Sequence, residues 1–161
     1  MNINIDFLAD HVECIAQIAS WYFNEWGHKE SNNSLERTCE RLQAKLNKDQ
    51  APICIIATAD EKLIGVAQLK IREMEIFPAR EFWLGGVYVD STGRGQGIGE
   101  LLVKRIEEIS ENLGVQELFL QTKKLDGGLY SKLGWTPIEQ ITNNGVLTCI
   151  MHKQLHIKPP R

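Results

Sequence analysis

The order of apolar and polar positions along the chain predicts alternating strands and helices. Short β-branched runs between polar breaks are typical of strands, and apolar residues three or four positions apart are typical of helices. Predicted strands cover residues 2–7, 53–58, 63–71, 82–89, 117–121, 138–141 and 146–152. Predicted helices cover residues 9–25, 35–46, 98–113 and 126–133. The predicted element order is therefore β-α-α-β-β-β-α-β-α-β-β.

The same pattern predicts the fold class. Residues 82–89 are apolar on both faces of their strand, which is typical of a central position in a sheet. The helix that follows them is long enough for a crossover to a parallel neighbour. Turn residues at 60–62 and the Asn144-Gly145 pair predict antiparallel hairpins instead. We therefore expect an α/β fold of the α+β type, with one mixed sheet flanked by helices on both faces.

The length of 161 residues predicts a single domain with a core that can fold by itself. We expect this core at about residues 3–152 and a loose tail at residues 153–161, which contain two consecutive prolines. The first helix should bury an apolar stripe, formed by Val12, Ile15, Ile18, Ala19 and Tyr22.

Charge and residue usage narrow the range of partners. A net charge of −3 gives no support to nucleic-acid binding and slightly favours a cationic substrate. The four cysteines and four histidines lack ligand spacing, so we expect reduced thiols and no metal site. The N-terminal residues lack a signal-peptide pattern, and no apolar run approaches about 20 residues. We expect a cytoplasmic protein without a membrane partner.

A glycine-rich turn between residues 89 and 98 is the strongest candidate for a binding site. Glycines alternate with other residues at 93, 95, 97 and 99, so another group can approach the main chain closely there. The turn leads directly into a helix, whose first N–H groups lack intrahelical partners and favour an anion. The segment is therefore typical of a phosphate site.

Two common phosphate loops do not match this turn. It lacks the Gly-Lys-Ser/Thr of a P-loop. It also lacks Gly-x-Gly-x-x-Gly, because Ile98 and Glu100 stand where the last glycine is required. A nucleotide-binding enzyme of another class is therefore disfavoured.

The segment Arg94-Gly-Gln-Gly-Ile-Gly99 resembles the Arg/Gln-x-x-Gly-x-Gly/Ala signature of the GNAT superfamily of N-acetyltransferases. Residues 129–135, Leu-Tyr-Ser-Lys-Leu-Gly-Trp, are similar to a second motif of that family. The resemblance extends from about residue 3 to residue 152. The Trp-containing first helix and the layout of residues 122–130 are also similar to the actin N-terminal acetyltransferase subgroup.

The resemblance implies acetyl-CoA as co-substrate and no metal. Its pyrophosphate is expected on the backbone of the turn, formed by Gly95, Gln96, Gly97, Ile98, Gly99 and Glu100. Arg94 belongs to the same turn, and its contact with phosphate is left open. The pantetheine arm is expected along the strand at Val87, Tyr88 and Val89, as an added pseudo-strand. The pair Gly85-Gly86 just upstream is typical of a bulge.

The family reaction is direct attack of a neutral amine on the thioester. Tyr130 matches the usual acid that protonates the leaving thiolate, and the N–H of Val89 is a candidate donor to the oxyanion. The position of the glutamate base in some members falls at Trp83, which cannot take a proton. Glu81 on the same strand is the candidate base, and a relay of ordered water is the alternative.

On the acceptor side, Trp26 and His28 are the candidates for substrate contact, while Trp83 and Trp135 are expected in the core. Lys123 and Asp126 stand where many members carry asparagine and alanine. The expected partner is a small-molecule or peptide amine, with a monomer or a homodimer both open. The alternative function is a non-catalytic acyl-CoA sensor or interaction module.

Overall fold

The computed structural model describes residues 2–156. It contains seven strands: β1 (Ile3–Phe7), β2 (Ile53–Ala59), β3 (Lys62–Ile71), β4 (Phe82–Val89), β5 (Glu117–Thr122), β6 (Thr136–Asn143) and β7 (Val146–Gln154). The four α-helices are α1 (Ile15–Glu25), α2 (Leu35–Gln43), α3 (Ile98–Asn112) and α4 (Gly128–Lys132). The observed order confirms the order predicted from the sequence.

All seven strands form one mixed sheet in the order β1-β2-β3-β4-β5-β7-β6. Only β4 and β5 pair in parallel, and the other neighbours are antiparallel. β4 is the fourth strand of the sheet, which agrees with its apolar character on both faces. The hairpin of β6 and β7 turns at Asn144 and Gly145, both with positive φ, as an Asn-Gly turn requires.

Helices cover both faces of the sheet, each over its own apolar cluster. On one face, α1 and α2 pack on β2 and β3 through Ile18, Tyr22 and Leu42. On the other face, α3 packs through Leu102 and Ile106, and Trp135 joins the same cluster. Trp83 and Trp135 are almost fully buried, at 0% and 2% exposure, which confirms their prediction as core residues.

Several predicted boundaries differ from the structure, including the end of α2, which lies at Gln43 instead of residue 46. Residues 8–14 form two 3-10 turns instead of the start of α1, because His11 leaves helical geometry with φ −142 and ψ 53. Val12 consequently lies outside the buried stripe and is 53% exposed. At the other end, β7 continues through residues 153 and 154, and Leu155 is buried with its N–H bonded to Gln116. The rest of the predicted tail, residues 157–161, lies outside the described residues.

The central strand β4 carries a bulge that positions the site. Between two pairs of residues on β3 and β4, Val66–Tyr88 and Gln68–Gly85, β4 has one residue more than β3. Gly86 in the bulge has φ +59, a conformation that glycine adopts without steric cost. The bulge expected at Gly85-Gly86 is therefore present.

Within residues 2–156, no helix is both long and apolar enough to cross a bilayer.

Candidate active site

A cleft opens between β4 and β5, because the two strands pair at a single position. Trp83 and Phe119 are the only residues of these strands in register. Beyond them, residues 85–89 of β4 have no ladder partner on the β5 side. We call the opening between residues 85–89 and residues 120–122 the β4–β5 cleft. It is a place where an extended chain can add to the free edge of β4.

The backbone of Val87 and Val89 faces this cleft. The N–H of Asp90 donates to Ile64 of β3 at 2.8 Å. Because hydrogen-bonding groups alternate along an antiparallel strand, Tyr88 and Asp90 direct theirs toward β3. Val87 and Val89 therefore direct their N–H and C=O groups to the opposite side. This is the arrangement that the sequence predicted for a pseudo-strand ligand.

The glycine turn brings an uncapped helix start to the end of β4. Gly97 is the N-cap of α3 with φ +75, and no side chain caps the helix. The first helical hydrogen bond is donated by Leu101 to Gly97, at 3.1 Å. The N–H groups of Ile98, Gly99 and Glu100 therefore have no acceptor within the helix. Since a Cβ at Gly95 or Gly97 would meet nothing within 4 Å, open space lies over the turn.

These features fit a phosphate ligand. Free N–H groups and the positive end of the α3 dipole favour an anion at this position. The side chain of Arg94 folds back on β4, where its Nε donates to the Val89 carbonyl at 3.1 Å. The amide of Gln96 donates to the Thr92 carbonyl at 3.2 Å. Both side chains therefore hold the turn in shape, and the free donors over the turn are backbone N–H groups.

The second motif packs next to the first. A Cβ at Gly99 would lie 3.4 Å from Cδ2 of Leu129, so α4 touches the start of α3. Asp126 stabilises α4 by accepting from the Gly128 N–H at 2.9 Å. Tyr130 is half-buried, with its ring edge-on to Trp135 at 6.3 Å. Burial, followed by the negative charge of Glu73, raises the pKa of Tyr130, which therefore keeps its proton at neutral pH.

Glu73 is a candidate functional residue that the sequence reasoning missed. Its Oε2 accepts from the Gln121 amide of β5 at 3.2 Å, and its Oε1 lies 3.0 Å from the Lys70 ammonium. A Cβ at Gly85 of β4 would lie only 2.6 Å from the same Oε1. Glu73 therefore lies across the β4–β5 cleft, with only 13% of its side chain exposed. Sequence alone does not distinguish it from Glu75 in the same polar connection.

Glu81 lies at the other end of β4. Its carboxylate pairs with Arg72 at 2.8 Å and is 46% exposed. Six residues separate it from Val87, which is about 20 Å along a strand. This location gives no support to the prediction of Glu81 as the base, because its carboxylate is exposed and ion-paired at the end of β4 away from Val87 and Val89.

A cavity lies on the opposite face of the bulge, between the helices α1 and α2 and the strands β3 and β4. We call it the α1–α2 cavity, and its lining includes Tyr22, Trp26, Lys45, Gln68, Lys70 and Gly86. The Tyr22 hydroxyl donates to the Gly86 carbonyl at 2.7 Å and so connects the cavity to the bulge. Burial raises the pKa of Tyr22 well above its usual value, which keeps this donor protonated.

The two residues predicted to contact substrate differ in position. Trp26 lines the α1–α2 cavity and packs near Tyr22 and Tyr88, at ring distances of 5.6 Å and 6.4 Å. His28 is exposed, and its Nδ1 lies 3.0 Å from the Phe23 carbonyl at the end of α1. The structure therefore brings Trp26 to the cavity and leaves His28 on the outer surface.

Lys45 is the most perturbed cation of the cavity. Its ammonium donates to the Gln68 amide oxygen at 2.8 Å. Burial, followed by the ammonium of Lys70, lowers the pKa of Lys45 to about 8. Cys54 and Glu73 act in the opposite direction, and Arg41 adds to the lowering. For metals, residues 2–156 contain no group of three side chains placed to hold an ion.

Comparison with known proteins identifies the family of this chain. The sequence model described as the acetyltransferase (GNAT) family matches residues 15–135, which is most of the chain. A citrate [pro-3S]-lyase ligase from Klebsiella pneumoniae is 25% identical over 119 residues. That match covers 74% of this chain and only 32% of the relative, so the chain spans about a third of its length.

Solved structures share the fold over nearly the whole chain. An aminoglycoside 6'-N-acetyltransferase complexed with coenzyme A superposes with a TM-score of 0.74 at 17% identity, covering 99% of this chain and 100% of the other. The Salmonella typhimurium protein yncA, solved with acetyl-CoA, gives a TM-score of 0.74 at 16% identity and covers 98% and 96%. An aminoglycoside 6'-acetyltransferase type Ii gives 0.73 at 20% identity, with 99% and 100% covered.

Proposed function

The chain belongs to the acetyltransferase (GNAT) family, and from that premise we propose that it transfers the acetyl group of acetyl-CoA to a primary amine. The observation that carries the proposal is the β4–β5 cleft, which opens at the strand leading into the uncapped start of α3. Acetyl-CoA supplies an activated thioester. The protein must therefore bind and orient it, take a proton from the amine and supply a proton to the leaving sulfur.

Binding is assigned to backbone groups. The N–H groups at the start of α3, with Gly95 and Gly97 leaving space above the turn, bind the pyrophosphate. Val87 and Val89 bind the pantetheine arm through their free backbone groups. Backbone contacts of this kind orient the arm along β4, with its reactive end toward the bulge. CoA-bound relatives with the same fold support this assignment.

Chemistry is assigned to three groups around the cleft. A free backbone N–H of β4, that of Val87 or Val89, donates to the thioester oxygen as negative charge develops there. Glu73 accepts the proton that the protonated amine loses before its nitrogen attacks the acetyl carbon. Tyr130 donates its proton to the sulfur as the carbon–sulfur bond breaks, and it regains one from the nitrogen as the amide forms. The amine must be deprotonated because a lysine-like amine has a reference pKa of about 10.4.

The acceptor is proposed at the level of a primary amine on a small molecule or peptide. Its entry side is the α1–α2 cavity, since this cavity reaches the bulge at Gly86. The similarity to the actin N-terminal acetyltransferase subgroup rests on the first helix and residues 122–130 alone. Acceptor segments vary most among proteins of one fold, so that substrate is not part of the proposal.

A thiol-release assay tests this function. The protein is incubated with acetyl-CoA and a panel of amines and peptides, and free CoA is measured with a thiol reagent. We expect acceptor-dependent release, and a rise of the melting temperature with acetyl-CoA but not with NAD or ATP. Tight acetyl-CoA binding without release for any amine would favour the non-catalytic acyl-CoA sensor. Absence of acetyl-CoA binding would overturn both.

A further inference from the structure

We propose that the acceptor amine carries a carboxylate, and that the ammonium of Lys45 binds this carboxylate in the α1–α2 cavity. The inference rests on the proposed acetyltransferase function, since it names the class of amine that the same site takes. It combines the position of the cavity, the balance of its charges and the surroundings of Lys45.

The position of the cavity is suitable for an acceptor. Gly86 and Tyr22 belong to its wall. Gly86 lies in the bulge that forms one edge of the β4–β5 cleft, and the Tyr22 hydroxyl donates to its carbonyl. Trp26 covers the wall on the helix side with an exposed aromatic face. A small molecule in the cavity can therefore lie against aromatic surface and reach the strand that orients the thioester.

The charges of the cavity are mainly positive. Its charged lining consists of Arg41, Lys45, Lys70 and Glu30. Arg41 pairs with Glu30 at 3.1 Å, and Lys70 pairs with Glu73 at 3.0 Å. After these pairs are formed, the cavity retains the positive charge of Lys45. The positive charge of Lys45 therefore disfavours a polycationic acceptor in this cavity, although the net charge of the whole chain slightly favours a cation.

Lys45 is placed to bind a single negative charge. Within residues 2–156 no carboxylate lies within 4 Å of its ammonium, whose hydrogen-bond acceptor is the neutral Gln68 amide. Gln68 is itself buried, with 2% exposure, so the acceptor that holds Lys45 is shielded from water. With a pKa of about 8, Lys45 is protonated at neutral pH, and a bound carboxylate satisfies its remaining donors.

Glu73 supplies the complementary charge. Pairing with Lys70 brings it next to the cavity, while its contacts with Gln121 and Gly85 place it across the cleft. An incoming ammonium meets Oε2 of Glu73, while Oε1 stays paired with Lys70, and a carboxylate on the same molecule meets Lys45. The site therefore matches a zwitterionic amino acid better than a simple amine. One unpaired ammonium matches the single charge of a carboxylate better than a phosphate dianion.

The test compares acceptors that differ in one group. Thiol release is measured at saturating acetyl-CoA with ω-amino carboxylates of two to six carbons and a set of α-amino acids. Alkylamines of the same lengths, ω-aminoalkyl phosphonates and a polyamine serve as comparisons. We expect the highest kcat/KM for carboxylates of one length, because the two charged side chains have a fixed separation. Preference for alkylamines, phosphonates or the polyamine would overturn the inference and leave the proposed function intact.

Variants of Lys45 connect the preference to this side chain. We expect Lys45→Gln to raise KM for the preferred carboxylate by about 10-fold to 100-fold, the loss typical of a hydrogen bond to a charged group. Lys45→Arg should recover part of the lost affinity for the carboxylate. In both variants the KM for acetyl-CoA should stay the same. Lys48→Gln is the matched control, because this nearby lysine is half-exposed and pairs with Asp10. An unchanged carboxylate KM in Lys45→Gln would contradict the assignment.

A binding measurement separates this inference from failure of catalysis. The N-acetylated product of each ω-amino carboxylate is titrated calorimetrically into the CoA complex of wild-type protein and of Lys45→Gln. Binding that depends on Lys45 supports the carboxylate site even if no amine releases thiol. Equal affinity for both proteins would overturn the site whatever the thiol-release assay gives.

Discussion

Two side chains around the cleft differ in how their proposed roles can be recognised. Tyr130 lies in a contiguous motif, so its position follows from residues 129–135. Glu73 lies in an irregular polar connection, and only its contacts with Lys70, Gln121 and Gly85 distinguish it. Both can be tested by changes that preserve the size of the side chain.

Replacing Tyr130 with phenylalanine removes the proposed acid. We expect kcat to fall by up to about 100-fold, the lower range of a general acid contribution. A thiol with a pKa near 8.5 leaves without much assistance, so activity should not vanish. Steady-state kinetics measure kcat, and calorimetry measures the affinity for CoA, which should not change. Unchanged turnover would remove Tyr130 from the mechanism.

Replacing Glu73 with glutamine removes the proposed base. We expect kcat/KM at pH 7 to fall by about 100-fold, with a smaller loss at high pH, where the free amine needs no base. The pH profile distinguishes this role from a structural one, which would lower activity equally at all pH values. Glu75→Gln is the control, because Glu75 is exposed in the same connection. A pH-independent loss would contradict the proposal.

At the scale of elements, the bulge in β4 separates the two sides of the site. It turns the strand so that Gly86 accepts from Tyr22 on the cavity side, while Val87 and Val89 face the cleft. The positive φ of Gly86 and the close approach of Tyr22 both require glycine. A Cβ there would lie 2.7 Å from the Tyr22 hydroxyl and 3.0 Å from the Gln68 amide nitrogen.

Gly86→Ala is therefore expected to lower both stability and CoA affinity. Backbone strain and the contact with Tyr22 should cost about 1–3 kcal/mol of the free energy of unfolding. Gly114→Ala is the control, because Gly114 has φ +82 and open space around it, so it reports strain alone. Denaturant unfolding and CoA titration measure the difference. Equal effects of the two variants on CoA binding would show that the bulge does not shape the cleft.

At the scale of the whole molecule, the half-buried charge of Lys45 lowers the stability of the fold. A fall of its pKa from 10.5 to about 8 corresponds to about 3 kcal/mol. The unfolded chain holds this proton more tightly than the folded protein does. The free energy of unfolding should therefore rise between pH 8 and 10.5, and below pH 8 it should be lowered by the full amount. A lysine that lowers the stability of the fold in this way is consistent with a role in binding.

Lys45→Met is expected to raise the free energy of unfolding over that of the wild type, and this gain should be larger at pH 7 than at pH 10.5. Loss of the hydrogen bond to Gln68 costs about 1 kcal/mol at both pH values and does not change this difference. Denaturant unfolding of wild type, Lys45→Met and the control Lys48→Met gives the comparison. If the gain from Lys45→Met is the same at both pH values, Lys45 does not carry a depressed pKa.

Local patterns were sufficient for most of the fold. The bounds of β4 and the start of α3 agree with their apolar spacing, and the Asn-Gly turn occurs where its sequence predicts. The N-terminal part of α1 was predicted incorrectly because helical spacing alone does not show the break at His11. The sequence neighbourhood of His28 predicts a substrate contact, whereas its ring lies 3.0 Å from the Phe23 carbonyl near the end of the preceding helix α1.

The sequence by itself therefore determined the element order, the fold class and the glycine turn before α3, since each depends on neighbouring residues. Only the tertiary structure decided the cleft, the position of Glu73 and the charge of the α1–α2 cavity. These depend on contacts between distant residues, such as Gln121 with Glu73, 48 positions apart, and Lys45 with Gln68, 23 positions apart. Strand separation and burial decide such contacts, and neither can be read from local spacing.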